Sequence, residues 1–285
     1  MASPARTLTG DDGMAEHLPD MHAIVGTRDI VLITLDTLRY DAAQRCFARG
    51  ELPVLARYLP ADGWERRHTP GSFTYAAHMA FFAGFLPTPA RQGPHPRLFA
   101  LAFDGSESIV AQTRVFADSG DIVDGLARCG YHTLCIGGTG FFNKRNALGA
   151  QLPGLFRESH WTPAFGVTAP DSTEQQVALA CARLGDPALR DTRCFLFINV
   201  SALHQPNRHY LPGAINDDFD SHCAALRYVD AALAPLFTAL RARGGAFAIV
   251  CSDHGTAYGE DGYHGHRLAH EVVMTVPYAH FLVTP

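Results

Sequence analysis

Ala248-Ile249-Val250-Cys251-Ser252-Asp253-His254-Gly255 is a short apolar, β-prone run that ends on a carboxylate and an imidazole before a glycine turns the chain. Near the other end, Ile30-Val31-Leu32-Ile33-Thr34-Leu35-Asp36 repeats the design and again delivers an aspartate. Continuous apolar runs of this length suit strands covered on both faces. Two such strands with carboxylates at their C-terminal ends predict a metal site at the mouth of an α/β sheet, where open parallel sheets place their ligands. Asp and His are both versatile ligands for a divalent ion.

Outward from these strands, the pattern predicts further strands at Thr133–Ile136, Cys194–Val200 and Val276–Val283. It predicts helices at Glu51–Tyr58, Tyr75–Ala83, Ile122–Cys129, Thr173–Leu184 and Ser221–Arg243. Gly84 with Pro87 beyond it is a helix stop. Strands alternating with helices argue for an α/β fold, a mostly parallel sheet sandwiched by helices. Residues 1–27 read as a polar lead-in, and 28–285 as a single catalytic domain. Residues 88–120, rich in proline and glycine around the run Leu98–Phe103, carry no assignment.

With 285 residues, 47% hydrophobic and 18% charged, the chain has the composition of an ordinary globular protein. A net charge of −5 offers no basic surface, so nucleic acid is not an expected partner. Seven cysteines stand singly, with no CxxC, which argues against a disulfide framework or zinc ribbon and makes a cytoplasmic location the expectation. Asp11, Asp12 and Glu16 without an apolar segment do not read as a signal peptide. No apolar run reaches about 18 residues, so no membrane contact is expected. The 15 histidines, gathered toward the C-terminal third, fit a metal or phosphate enzyme.

Several residues have two readings. Thr74, between Gly71-Ser72 and an apolar helix, is either an N-cap or a nucleophile set at the positive end of a helix. Gly137-Gly138-Thr139-Gly140 after a strand is either a phosphate cradle or a tight structural turn. Arg39 is an anion fork or a structural arginine. Lys144 and Arg145 contact substrate or form a solvated pair.

Leu32-Ile33-Thr34-Leu35-Asp36-Thr37-Leu38-Arg39-Tyr40-Asp41 resembles the opening strand of the sulfatase-like branch of the alkaline phosphatase superfamily. Thr74-Tyr75-Ala76-Ala77-His78, closing at Ala83-Gly84-Phe85-Leu86-Pro87, is similar to that branch's nucleophile helix. Ser252-Asp253-His254-Gly255, followed by Gly259-Glu260-Asp261-Gly262-Tyr263-His264-Gly265-His266, then Glu271 and Val276-Pro277, resembles its second metal segment. The helix around Tyr228-Val229-Asp230 also fits, and the ordered set spans residues 30–280.

The resemblance implies Thr74 as nucleophile and Asp36, Thr74, Asp253 and His254 as metal ligands, a set of four that suits tetrahedral zinc. It also implies catalytic roles for His266 and for His204 in Leu203-His204-Gln205-Pro206. A weaker second metal or substrate contact would draw on His264 or Arg39, and His209 is a lesser candidate. Departures matter too. Thr74, Ala76 and His78 replace the C/S-x-P-x-R motif, so formylglycine cannot form there. Asp253-His254 replaces an Asp-Asn pair, and imidazole in place of an oxygen donor moves the preference from Ca²⁺ to Zn²⁺ or Mn²⁺. Asn199 stands where two-metal members supply an aspartate.

The implied activity is metal-dependent hydrolysis of a phosphate, phosphonate or phosphodiester through a Thr-phosphoryl intermediate, on a small anionic ester. A sulfuric-ester hydrolase or phosphotransferase of the same fold is the alternative, and a non-catalytic metal- or partner-binding module is another. Relatives continue into a smaller C-terminal sheet. Its absence after Val283 implies an open site, or one completed by a second copy in a homo-oligomer.

Overall fold

The computed structural model of the chain describes residues 19–84 and 120–285. The expectations placed on Pro87 and on the run Leu98–Phe103 lie outside the described residues. The strands are β1 (Asp29–Leu35), β2 (Glu65–His68), β3 (His132–Ile136), β4 (Glu158–His160), β5 (Cys194–Val200), β6 (Ala246–Cys251), β7 (Ala257–Tyr258), β8 (His264–Gly265) and β9 (Thr275–Val283). Seven of them form one sheet in the order β2-β9-β6-β1-β5-β3-β4, and β7 pairs with β8 in a small hairpin. Strands β6, β1, β5, β3 and β4 run parallel, while β9 and β2 are added antiparallel at one side.

The central strand β1 lies between β5 and β6, with Leu35 level with Val200 and Thr34 level with Cys251. Their C-terminal ends therefore open side by side. Alternation along the strands divides the core between two faces. Val31, Ile33, Leu35, Leu196, Ile198 and Val200 enter one apolar cluster. Ile30, Phe195, Phe197 and Phe247 enter the other, with Met79 and Phe82 of the helix Thr74–Ala83. Phe82 meets Phe197 edge-on at 5.2 Å between ring centroids, a favoured aromatic geometry that seats this helix on the sheet. Gly84, left-handed at φ +68, closes the helix as its position predicts.

Two helices differ from expectation. Glu51–Tyr58 forms only the 3-10 turn Leu55–Arg57. Pro53 has no N–H, and the buried Asp230 carboxylate accepts from Val54 N at 3.0 Å and Leu55 N at 2.8 Å, which replaces helical pairing. Ser221–Arg243 is two helices, Phe219–Ala232 and Ala234–Ala242, broken at Leu233 with Pro235 in the first turn of the second. By length and composition Phe219–Ala242 could cross a bilayer, but 61% of its apolar window is buried against the rest of the fold. The helix Tyr40–Ala48 and the edge strands β2 and β4 were not anticipated. Glu65-Arg66-Arg67-His68 has no apolar alternation to announce a strand.

Replacing Asp230 by alanine strands the buried Leu55 N–H and the part-buried Val54 N–H. Urea unfolding of Asp230→Ala should read about 1–3 kcal/mol less stability for the buried group, and less for the other.

Candidate active site

At the end of β1, Asp36 N donates to Val200 O at 3.0 Å, which prolongs the ladder by one residue and fixes where the carboxylate emerges. The next residue, Thr37, has φ +66, a left-handed conformation that a β-branched residue rarely adopts. That strain turns its N–H onto Asp253 Oδ1 at 3.1 Å. His254 N donates to the same oxygen at 3.0 Å. At Gly255 a Cβ would stand 1.9 Å from Val272 O, so the chain passes this point only as glycine.

Asp36, Asp253 and His254 are fully buried, and one ligand atom from each lies within 4.8 Å of the others. His254 Nδ1 donates to Gly255 O at 2.9 Å, which leaves the Nε2 lone pair facing the carboxylates. Asp36 Oδ1 and Asp253 Oδ2 have no hydrogen-bond partner. Two buried carboxylates with orphaned oxygens beside a correctly tautomeric imidazole are the donor set of a divalent cation, so these residues fit a metal ion. Burial raises the Asp36 carboxyl to about 6, with the Asp253 charge adding to it. Asp253 is raised to about 7, again by burial, against the N–H bonds from Thr37 and His254.

Thr74 is the first residue of its helix, and the cap position is Phe73, which makes no side-chain cap bond. The hydroxyl is therefore not spent on capping. Instead Thr74 Oγ1 donates to Asp36 Oδ2 at 3.3 Å and lies 3.4 Å from His254 Nε2. Beneath it, His78 one turn on donates Nδ1–H to Thr74 O at 2.7 Å, and its Nε2 accepts from Thr34 Oγ1 at 2.9 Å. Burial lowers the His78 imidazole to about 3, so it stays neutral. Asn199 Nδ2 donates to Asp36 Oδ2 at 3.0 Å. The i, i+4 spacing of Thr74 and His78 was visible in the sequence, but the bond from His78 to the Thr74 carbonyl was not.

Thr74, His204 and His266 line one cavity of about 390 Å³. The His266 ring lies 4.6 Å from that of His254 and 5.3 Å from that of His204. Burial, reinforced by the charges of His254 and His204, lowers His266 to about 3. His204 donates Nδ1–H to Gln205 O at 2.6 Å, which frees Nε2.

Other candidates lie apart. His264 is exposed on the β7–β8 hairpin, opposite Tyr258. His209 is exposed and packs on Tyr210. Arg39 is buried and its fork faces Asp41, with Nε to Oδ1 at 2.9 Å and Nη2 to Oδ2 at 2.6 Å, while Nη1 pairs with Glu260. Its donors are occupied by the fold, which corrects its role as an anion clamp. Lys144 donates to Ser159 O at 2.6 Å and Arg145 lies over the Trp161 ring at 4.7 Å, so both are structural.

No protein-family model matches the chain, and no curated protein sequence does either. Solved structures do match. The zinc complex of the C-terminal periplasmic domain of EptC from Escherichia coli superposes with a TM-score of 0.62 at 12% identity, over 89% of this chain and 72% of that one. The C-terminal periplasmic domain of the phosphoethanolamine transferase EptC from Campylobacter jejuni gives 0.58 at 12%, over 90% and 79%. The lipoteichoic acid synthase LtaP from Listeria monocytogenes gives 0.59 at 13%, over 91% and 66%. The chain has the sulfatase-like alkaline phosphatase superfamily fold, as its motifs implied. The cytoplasmic expectation is corrected: the EptC structures are periplasmic domains and point outside the cytoplasm. Unpaired cysteines were a poor guide, because Cys46, Cys135, Cys194, Cys223 and Cys251 are buried and pack as small apolar side chains.

Both carboxyls have folded-state values above the ordinary aspartate value, about 3.9. Between roughly pH 4 and 7 the metal-free native state therefore binds more protons than the unfolded chain, and its stability falls as pH rises. Asp253→Asn should gain thermal stability over the metal-free wild type from pH 5 to pH 8, and zinc should raise the wild-type Tm more than the variant's. A Tm gap that does not change with pH would contradict this.

Proposed function

We propose that the chain is a metal-dependent enzyme that transfers a phosphoryl group from an anionic ester through Thr74. The observation that carries this reading is the Thr74 hydroxyl: buried, free of a capping role, at a helix N-terminus, and within 3.4 Å of both Asp36 and His254. Asp36, Thr74, Asp253 and His254 would hold the ion, and two carboxylates with an imidazole favour zinc. When bound, the ion supplies positive charge that lowers the hydroxyl's pKa and stabilises a developing anion.

The residues of the chain do the rest. Asp36 takes the hydrogen bond of the Thr74 hydroxyl and orients its lone pairs toward the cavity. His78 holds the Thr74 carbonyl, so the nucleophile's backbone is tied to β1 through Thr34. The Thr74 oxygen attacks phosphorus and forms a Thr74 phosphoester, while the alcohol leaves. The positive end of the dipole of the helix Thr74–Ala83 favours the anionic group being transferred. His204 and His266 line the same cavity and are placed beside its equatorial oxygens. A second nucleophile then takes the phosphoryl group from Thr74. With water the result is hydrolysis; with an alcohol it is a transferase reaction, which the likeness to EptC and LtaP supports equally. Thr74 in place of Cys or Ser argues against sulfuric-ester hydrolysis by formylglycine.

The test is turnover of nitrophenyl phosphate, bis-nitrophenyl phosphate and nitrophenyl sulfate by the zinc- or manganese-loaded protein. Thr74→Ala should lose at least about a thousandfold in kcat, and Thr74→Ser should retain part of the activity. Sulfate release in preference to phosphate, or turnover that survives Thr74→Ala, would overturn the proposal.

A further inference from the structure

We infer, on the footing of this phosphoryl-transfer reading, that the far lobe of the cavity binds the alcohol half of the ester and selects a neutral polyhydroxylated group, a sugar or polyol, over an ammonium-bearing one. The lobe is built by the glycine turn 137–140 and the segment after it, with Thr139, Gly140, Phe141, Asn143, Asn146 and Val167 on its wall. The turn is not arranged as a phosphate cradle. Thr139 N already donates to Asn199 Oδ1 at 3.1 Å, and a Cβ at Gly138 would stand 2.4 Å from Asn199 O, so the glycine is there for close packing.

What the turn presents instead is chemistry for a hydroxylated ring. Thr139 is 7% exposed and its buried Oγ1 has no hydrogen-bond partner. A buried hydroxyl left unpaired is stabilised by a ligand that can both donate and accept. Phe141 is braced by Tyr75 at 5.7 Å and Phe73 at 6.3 Å between centroids, and offers an apolar platform to the C–H face of a sugar. Asn143 and Asn146 use Oδ1 to accept Arg145 N at 2.8 Å and Gly149 N at 2.7 Å. Among the described residues neither Nδ2 has another partner, so both amides remain as donors.

The two cations that lie between these asparagines in the chain are turned out of the lobe. Lys144, left-handed at φ +56, sends its ammonium to Ser159 O, and Arg145 stacks on Trp161. Among the described residues lining the cavity there is no Asp, Glu, Lys or Arg. A ligand ammonium brought here would leave water without a carboxylate to meet it, whereas a hydroxyl exchanges one set of hydrogen bonds for another. Asn199 joins this lobe to the reaction centre, since one amide accepts from Thr139 N and donates to Asp36 Oδ2.

Calorimetric binding to the zinc-loaded full chain tests the inference without needing turnover. The probes are glucose phosphate, sn-glycerol phosphate and phosphoethanolamine, which share the phosphate and differ in the alcohol. The two hydroxylated esters should bind at least about tenfold more tightly than phosphoethanolamine, a difference of roughly 1.4 kcal/mol. Asn146→Asp keeps an oxygen for Gly149 N and adds a negative charge, so it should move the ratio at least about tenfold toward phosphoethanolamine. Asn143→Asp serves the same purpose if circular dichroism finds the first variant misfolded. Equal affinities, a wild-type preference for phosphoethanolamine, no binding of any ester, or a ratio unmoved by the charge would overturn the inference. Aryl-ester turnover that depends on Thr74 but comes with no alcohol preference sinks this inference alone. An alcohol preference without any turnover supports the lobe and sinks the phosphoryl-transfer reading.

Discussion

Two buried carboxylates side by side are the constraint on which the rest of the structure depends. Asp36 and Asp253 end neighbouring parallel strands, both are wholly buried, and each keeps an oxygen with no partner. Nothing in an apolar interior tolerates that pair as two free anions. The surrounding fold holds them in place nonetheless. The left-handed Thr37 turns its N–H onto Asp253, and Gly255 lets the backbone of residue 272 pass close behind. Such local strain is sustained only where tertiary packing over-determines the conformation. A divalent cation is the partner that makes the arrangement favourable.

The Thr74 hydroxyl is placed by different means. The helix Thr74–Ala83 lies on the aromatic face of the sheet, where Phe82 meets Phe197 and His78 sits among Phe142, Phe197 and Phe82. That seat brings the helix N-terminus over the end of β1, with Thr74 Oγ1 3.3 Å from Asp36 Oδ2. Backbone carbonyls then set the imidazoles, since Gly255 O orients His254, Thr74 O orients His78 and Gln205 O orients His204. His254 and His78 thereby present Nε2 to Thr74 and Thr34, and His204 keeps Nε2 free. Arg39 is a strut in this scheme. It ties Asp41, on the helix Tyr40–Ala48, to Glu260 at the start of the turn that leads to His264 and His266.

Asn199, at the end of β5, joins the carboxylate cluster to the lobe beyond it, since its amide bonds both Asp36 Oδ2 and Thr139 N. An aspartate at this position would add a third negative charge beside Asp36; the amide instead supplies a donor. Neutral carboxamides and rings line the outer side of the cavity, and Thr74, His204 and His266 line its inner side.

Strand runs such as Ile30–Leu35 and Ala246–Cys251 were readable because apolar segments of that length have few other uses, and the aspartates just beyond their ends marked the mouth of the sheet. Helix ends at Gly84 and Leu184 were readable from local chemistry. Edge strands without an apolar pattern were not, nor was the loss of the 51–58 helix to a carboxylate 176 residues away from Val54. Thr74 illustrates the division. Its residue type and its place before an apolar helix followed from the chain, but capping and nucleophilic roles begin from the same local sequence. Only the register of β1 beside β5 and β6, and the seating of a helix on the phenylalanine face, brought its hydroxyl to Asp36 and His254. Arg39 went the other way, with its fork closed by Asp41 and Glu260 rather than open to a ligand. Local propensity determines which elements form and where they end; which side chains meet is decided by long-range packing, because the partners are brought together only by the folded sheet.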